Sequence, residues 1–132
     1  MIPTRYVSPL SKSDKIIQKK MILKSRRLYK KGVYTTRKTL KSYPNKESSH
    51  VMRAKKKFGV DSMVPSPELA KKTGCPLSIL QKIVQKGEGA YYSSGSRPNQ
   101  TPQSWGIARL SSALTGGPAA KVDANLVNQC SI

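Results

Sequence analysis

The chain has 132 residues, and its 25 lysines and arginines against 6 aspartates and glutamates give a formal net charge of +19. This length allows one small domain and excludes two ordinary ones, and a hydrophobic content of 36% limits the core. No apolar run approaches the length that spans a bilayer, and the first ten residues lack a secretory apolar segment. We therefore expect a basic protein that is soluble and intracellular.

Positive charge is concentrated in the N-terminal half. Residues 1–60 carry 18 basic and 2 acidic side chains, whereas residues 61–132 carry 7 and 4. Such a field attracts polyanions, which include nucleic acid, anionic lipid head groups and the acidic face of another protein. We accordingly predict a basic arm with an amphipathic helix over residues 1–60 and a small helical domain over residues 61–132.

Few residues are available for catalysis or for metal binding. Cys75, Cys130 and His50 do not supply the four ligands of a structural zinc site. Two cysteines in a chain of this size are typical of reduced intracellular thiols, although one disulfide is compatible with the count. The single histidine has no evident carboxylate partner, and no nucleophile elbow is present. We expect no enzyme, no cofactor, no metal and no small-molecule substrate.

The N-terminal half predicts a long basic helix. Ser11 is a good N-cap, and Asp14 follows three residues later. Together with Gly32 as the stop signal, they predict a helix over residues 13–31. Ile17, Met21 and Leu28 form an apolar stripe at helical spacing, with Ile16 and Leu23 beside them. The basic remainder of the helix is either a solvated face over a small core or a binding face. Residues 32–47 mix β-branched side chains with tyrosines, break at a proline, and predict an extended arm.

Four shorter helices are predicted further along the chain. One begins near Ser49 and ends at Gly59, and a second begins with Ser66 as N-cap and Pro67 at the first helical position. The others are expected over residues 77–86, ending at Gly87, and from Pro102 to the Gly116–Gly117 pair, with Asp123 as a cap for one last turn. The predicted fold is mainly α, a small domain of four to five short helices with extended basic N-terminal arm segments.

The third and fourth predicted helices resemble a helix-turn-helix. Ala70 stands where the helices would cross, Gly74 lies in the turn, and Leu80 lies on the second helix. In a DNA-binding protein the second helix offers its first side chains to the major groove, and here only Ser78 and Gln81 have base-reading chemistry. A tight helical hairpin without any DNA contact gives the same pattern, so both interpretations stay open.

Residues 87–117 form a block with little charge and the only tryptophan, Trp105. Gly87 and Gly89 give a G-x-G spacing, but Tyr92 replaces the third glycine and no strand pattern precedes it, which excludes a phosphate-binding loop. The aromatic side chains belong either to the core or to an exposed docking patch, since Tyr, Trp and Arg dominate docking hot spots. In this block, the guanidinium of Arg109 is expected to stack on the indole or to bind carbonyl groups.

The same block resembles the signature of a basic domain family of unassigned biochemistry. That family occurs in large icosahedral double-stranded DNA viruses of eukaryotes and, in a looser form, in tailed phages. Residues 25–51 are also similar to the eukaryotic-virus members, so the resemblance covers about residues 6–127. The residues that carry it are Gly87, Gly89 and Ala90 in Gly-x-Gly-Ala, Arg97, Pro98 and Gln100 in Arg-Pro-x-Gln, and Trp105, Ala108 and Arg109 in Trp-x-x-Ala-Arg.

The resemblance implies a virus-encoded structural virion protein, specifically a minor capsid protein that cements capsomers on the inner side of the shell. It would reside in the virion capsid, and in the host-cell cytoplasm during assembly. The implied partners are the major capsid protein and other minor capsid proteins, with viral DNA or the anionic inner-membrane surface as further partners of the basic half. Docking is expected to depend on Gly87, Gly89, Tyr91, Tyr92, Arg97, Pro98, Gln100, Trp105 and Arg109.

The alternative function is nucleic-acid binding, either in genome packaging or through the helix-turn-helix. Basic side chains would then neutralise phosphates, and affinity would fall steeply with salt. For both functions the candidate polyanion-binding residues are Lys19, Lys20, Lys24, Arg26, Arg27, Lys30, Lys31, Arg37, Lys38, Arg53, Lys55, Lys56 and Lys57.

Overall fold

A computed structural model describes residues 2–44 and 48–130. Helical residues make up 61% of the structure and the described residues contain no strand, which confirms the predicted all-α fold class. A 3-10 turn at Thr4–Tyr6 precedes seven α-helices in the described part of the chain. The helices are α1 (Lys12–Tyr29), α2 (Ser49–Phe58), α3 (Pro67–Thr73), α4 (Leu77–Ser93), α5 (Pro102–Leu114), α6 (Pro118–Val122) and α7 (Ala124–Val127). None of the helices described is both long and apolar enough to cross a membrane.

The described residues form two compact units. The first contains residues 2–44 and 88–105, and the second contains residues 48–87 and 106–130, so α4 and α5 each contribute to both. The first unit has 14 basic and 2 acidic side chains among its described residues, and the second has 10 and 3. The predicted boundary at residue 60 does not coincide with these units, and as a functional division it stays a prediction.

The start and end of α1 follow from its capping residues. The hydroxyl of Ser11 accepts a hydrogen bond from the backbone N–H of Asp14 at 3.2 Å, as predicted. The Asp14 carboxylate also accepts from the amide and the hydroxyl of Ser42, at 3.2 and 2.5 Å. After Tyr29 the chain turns at Gly32, whose φ of 77° is the left-handed conformation that glycine adopts without strain.

The predicted apolar stripe of α1 is confirmed only in part, since Ile17 and Met21 are partly buried against a core cluster. The buried residues are Gln18, Ile22 and Ser25, whereas Ile16 is 56% and Leu23 52% exposed. Gln18 and Ser25 are accommodated in the interior because their side chains donate hydrogen bonds to backbone carbonyls of the same unit. A polar interior of this kind cannot be recognised from apolar periodicity.

Residues 33–40 have no regular secondary structure, in agreement with the predicted extended segment. They pack within the first unit, where Leu40 is buried in a cluster with Val7 and Leu10, lined by the partly buried Ile2, Ile17, Met21 and Tyr43. The Asn99 side chain accepts from the N–H of Leu40 at 2.7 Å and donates to its carbonyl at 3.1 Å. This amide replaces the neighbouring strand that an extended segment otherwise needs. The rest of the predicted arm, residues 45–47, lies outside the described residues.

The predicted end of α4 at Gly87 is wrong, since the helix continues to Ser93. Gly87 lies where α4 crosses α5, and a Cβ atom placed on it would stand 2.5 Å from the Cα of Gly106. Gly106 is equally constrained, because its own Cβ would stand 2.5 Å from the carbonyl oxygen of Val84. The glycine therefore permits close packing of two helices and does not terminate one.

The second unit has an apolar core to which α2, α3, α4, α5 and α7 contribute. Its buried members are Ala54, Met63, Leu69, Cys75, Ile79, Leu80, Ile83, Val84, Leu110, Ala113, Leu114 and Leu126. The start of α3 agrees with the prediction, because the Ser66 hydroxyl accepts from the N–H of Leu69 at 3.1 Å and Pro67 opens the helix.

Cys75 and Cys130 form a disulfide, which corrects the expectation of reduced thiols. The bond joins the turn between α3 and α4 to the segment that follows α7, across a sequence separation of 55 residues. Cysteine count alone cannot reveal such a pair, because the pairing depends on how α7 packs against the core of the second unit.

Candidate docking surface

The signature residue Arg109 forms a buried ion pair and does not stack on Trp105. Its guanidinium donates two hydrogen bonds to the Asp123 carboxylate, both at 2.8 Å. These hydrogen bonds raise the pKa of Arg109. Asp123 is 0% exposed, and it makes no side-chain cap on α7, contrary to the prediction. Lys86 lies 3.8 Å from the same carboxylate.

The interior of the first unit contains two residues for which the sequence predicted surface roles. They are Tyr91 of the signature and Arg37, a predicted polyanion-binding residue. Tyr91 is 0% exposed, and the Arg37 guanidinium lies 3.7 Å from the centroid of its ring. That guanidinium donates to the Tyr91 carbonyl at 3.0 Å and to the hydroxyls of Ser25 and Ser96 at 3.2 and 2.8 Å. Burial lowers the pKa of Arg37. Both side chains are turned inward, where they stabilise the unit.

The Arg-Pro-x-Gln and Trp elements of the signature lie at the start of α5 and in the loop before it. Pro98 is buried, and the Gln100 side-chain oxygen accepts from the Ser104 hydroxyl at 2.7 Å. The Trp105 ring is partly exposed and meets the ring of Tyr6 edge to face, with centroids 5.9 Å apart. Arg97 is exposed, so it is the member of the signature best placed to touch a partner.

Three tyrosines form a cluster that sequence reasoning missed, except for Tyr92. The ring centroids of Tyr29 and Tyr34 are 5.6 Å apart, and those of Tyr29 and Tyr92 are 6.2 Å apart. Tyr34 lies 5.1 Å from Tyr92 and is 64% exposed. A Cβ placed on Gly89 would come within 3.9 Å of the Tyr29 hydroxyl, so this signature glycine lies beside the cluster. The signal for this cluster in the sequence was the segment YKKGVY, in which two tyrosines stand on either side of a glycine that follows a helix.

The outer face of α1 is a stripe of cations that surrounds two aliphatic side chains. It lies opposite the buried line of Gln18, Ile22 and Ser25, as the helical period of 3.6 residues requires. All of its members are exposed, and they are Lys12, Ile16, Lys19, Lys20, Leu23 and Arg27. A surface of this kind pairs positive charge with small apolar anchors.

Most of the predicted polyanion-binding residues lie at the surface. The exposed ones are Lys19, Lys20, Lys24, Arg27, Lys30, Lys31, Lys38, Arg53, Lys56 and Lys57. Three of the predicted cations other than Arg37 have interactions within the chain. Arg26 donates to the carbonyl of Ser94 at 2.7 Å, the Lys57 ammonium donates to the carbonyl of Leu114 at 3.0 Å, and Lys55 is partly buried.

The α3–α4 pair has the local features of a helix-turn-helix. Gly74 takes a φ of 73° in the turn, and Leu80 and Ile83 are buried. Ser78 and Gln81 are exposed near the start of α4. These placements leave both the DNA-binding and the structural interpretation open.

Among residues 2–44 and 48–130, no group of three or more His, Cys, Asp or Glu side chains is placed to hold a metal ion. No curated protein and no solved structure matches this chain. The sequence profile of a family of unknown function, DUF5824, matches residues 3–128, which include nearly all of both units and the whole signature. The chain therefore belongs to the DUF5824 family.

Proposed function

We propose that this protein is a virus-encoded structural virion protein, a minor capsid protein that attaches to acidic surfaces on the inner side of the shell. The observation that carries the proposal is the outer face of α1, where exposed lysines and an arginine surround Ile16 and Leu23. The similarity of the residue 87–109 signature to virus proteins supports the virion setting.

The mixture of charge and aliphatic surface on α1 favours a protein partner over duplex DNA. Phosphate groups form ionic contacts with lysine and arginine, but they provide no apolar contact for the exposed Ile16 and Leu23 side chains. An acidic protein surface with apolar depressions can use both, since cations steer the encounter and buried aliphatic anchors supply affinity. Two aliphatic side chains are too few for stable attachment to a membrane.

The location of the protein in purified virions tests the proposal. Particles are separated stepwise into shell, membrane and DNA core, and the chain is quantified in each fraction by mass spectrometry. We expect it in the shell fraction at a fixed ratio to the major capsid protein. Its absence from particles would overturn the virion assignment, and recovery with DNA alone would replace it by a packaging role.

A double variant tests the outer face of α1 itself. Leu23→Ala removes an aliphatic anchor and Lys20→Glu reverses a charge on the same face, so we expect at least about tenfold less incorporation into virions. The matched control is Val122→Ala with Lys121→Glu, because this exposed pair on α6 has the same chemistry in the second unit. Equal incorporation of the two double variants would reject the α1 surface.

The exposed Arg97 gives a separate test of the signature. If the signature contributes to capsid docking, Arg97→Ala should reduce incorporation while the affinity for duplex DNA changes little. Incorporation at the wild-type level would remove Arg97 from the docking surface.

A second candidate function is DNA binding through α3 and α4. It is favoured by the exposure of Ser78 and Gln81 after the Gly74 turn. If this helix reads bases, Gln81→Ala should cost about 1–3 kcal/mol on the preferred duplex and little on other sequences. An equal loss of affinity for all DNA sequences would show that Gln81 reads no base and that charge alone drives the binding.

A further inference from the structure

The tyrosine cluster, formed by Tyr29, Tyr34 and Tyr92, is a preorganised aromatic surface. Its three rings have centroid separations between 5.1 and 6.2 Å, and the rings of Tyr29 and Tyr92 are nearly parallel, at 6°. Tyr34 is the most exposed of the three, at 64%, while the other two are partly exposed. Solvent therefore reaches all three residues of the aromatic platform, and Tyr34 most of all.

Hydrogen bonds hold in place the backbone segments that carry the three rings. The N–H of Gly32 donates to the carbonyl of Tyr29, and the N–H of Val33 donates to that of Leu28, so the turn after α1 returns Tyr34 to Tyr29. The hydroxyl of Ser25, one turn before Tyr29, donates to the carbonyl of Tyr92 at 3.1 Å. A platform that is held in this way loses little conformational entropy when a flat ligand stacks on it.

Two lysines are next to the tyrosine cluster in the chain. Lys30 and Lys31 are both exposed in the turn that separates Tyr29 from Tyr34. The acidic residue closest in sequence is Glu88, one helical turn before Tyr92. The pKa of Tyr92 is raised, first by burial and then by neighbouring groups that include Tyr91 and Glu88. Tyrosine phenols are ordinarily neutral at pH 7, so Tyr92 adds no negative charge to the platform.

We infer that Tyr29, Tyr34 and Tyr92 form a base-stacking site for a single-stranded polynucleotide, whose phosphates are contacted by Lys30 and Lys31. Aromatic rings beside a cationic path are the features that proteins use to bind single strands without sequence preference. In a duplex the base faces are occupied by neighbouring bases, so this platform selects unpaired nucleotides. Tyr29 lies in line with the buried side of α1, so the site is separate from the outer face of that helix, on which the docking proposal rests.

The inference is tested by fluorescence anisotropy with labelled oligothymidylate, oligouridylate and a DNA duplex, each about 12 nucleotides long. We expect both single strands to bind the full-length protein more tightly than the duplex. The relative affinities of the two single strands show whether the site prefers single-stranded DNA or single-stranded RNA. Tyr34→Ala should weaken single-strand binding about tenfold or more, and Tyr34→Phe should retain it.

The contribution of charge is measured separately by a salt series. Replacing Lys30 and Lys31 together with alanine should reduce the slope of log affinity against log salt by about 1.4, or about 0.7 per phosphate contact. The slope should be unchanged in Tyr34→Ala, because stacking releases no counterions.

Leu23→Ala is the matched control, since it removes an exposed side chain from the outer face of α1 and should leave single-strand affinity unchanged. The inference is overturned if Tyr34→Ala, with an unchanged circular-dichroism melt, binds single strands like the wild type. It is also overturned if the duplex binds as tightly as the single strands, because charge would then account for all binding. Failure here leaves the virion test of Leu23 and Lys20 untouched, so the two proposals fail independently.

Discussion

Replacing Arg109 with alanine is expected to lower the free energy of unfolding by about 3–5 kcal/mol. The substitution leaves the Asp123 carboxylate, which is 0% exposed, without its two 2.8 Å hydrogen bonds. Lys86 cannot compensate, because it lies 3.8 Å from the carboxylate and is itself 48% exposed. Urea denaturation followed by far-ultraviolet circular dichroism measures the change, provided that the slope with denaturant is unchanged.

Two controls separate the buried charge from the lost packing of a long side chain. Lys86→Ala should cost no more than about 1 kcal/mol, since it removes only an exposed partner of the same carboxylate. The double variant Arg109→Leu, Asp123→Leu should be more stable than Arg109→Ala, because no unpaired charge remains in the interior. A loss below about 1 kcal/mol for Arg109→Ala would show that the carboxylate reaches water and is not held as the structure describes.

Helix starts are the features that local sequence predicts best, because a cap involves residues only three positions apart. Ser11 and Ser66 accept the predicted backbone hydrogen bonds at the starts of α1 and α3. At the start of α5, Thr101 accepts from the N–H of Ser104 at 3.0 Å, and the Ser104 hydroxyl accepts from the N–H of Thr101 at 2.8 Å. Glycine is a less reliable signal for the end of a helix. Gly32 lies in the turn after α1, as predicted, whereas Gly87 lies within α4.

The interior of the first unit is not predictable from apolar periodicity, because much of it is polar. Arg37 looks like one more surface cation in a basic segment, yet it bonds to residues 12 and 54 positions away in the chain. The Asn99 amide likewise pairs with Leu40 at a separation of 59 residues. Contacts over such distances depend on the assembled fold, and a single sequence carries no signal for them.

The candidate site is predictable only in part, for the same reason. Charge and helical period predict that cations such as Lys20 and Arg27 lie on the exposed side of α1, and both are exposed. The same reasoning placed Ile16 and Leu23 beside the apolar stripe, and only the structure shows that both are exposed next to these cations. The signature residues Tyr91 and Arg109 combine chemistry typical of docking with buried positions, and only the structure distinguishes the two roles.

Replacing Gly106 with alanine is expected to lower the free energy of unfolding by about 2–3 kcal/mol, although alanine is the better helix former. Helix propensity favours the substitution by about 1 kcal/mol. The new methyl group would stand 2.5 Å from the Val84 carbonyl oxygen and 2.9 Å from the Val84 Cγ1 atom. The nearest atom belongs to the backbone of α4, so the helices must separate. We therefore expect a cost at or above the upper end of the usual range for overpacking, which is about 1–3 kcal/mol. Steric cost therefore exceeds the gain in propensity.

Gly89→Ala is the matched control, because it makes the same chemical change inside a helix where space is available. The atom nearest to its added Cβ is the Tyr29 hydroxyl oxygen, at the ordinary contact distance of 3.9 Å. Only helix propensity then acts, and we expect stability to rise by up to about 1 kcal/mol. Opposite signs for Gly106→Ala and Gly89→Ala in thermal and urea denaturation would establish the close crossing of α4 and α5. A gain in both variants would mean that these helices lie further apart than the structure describes.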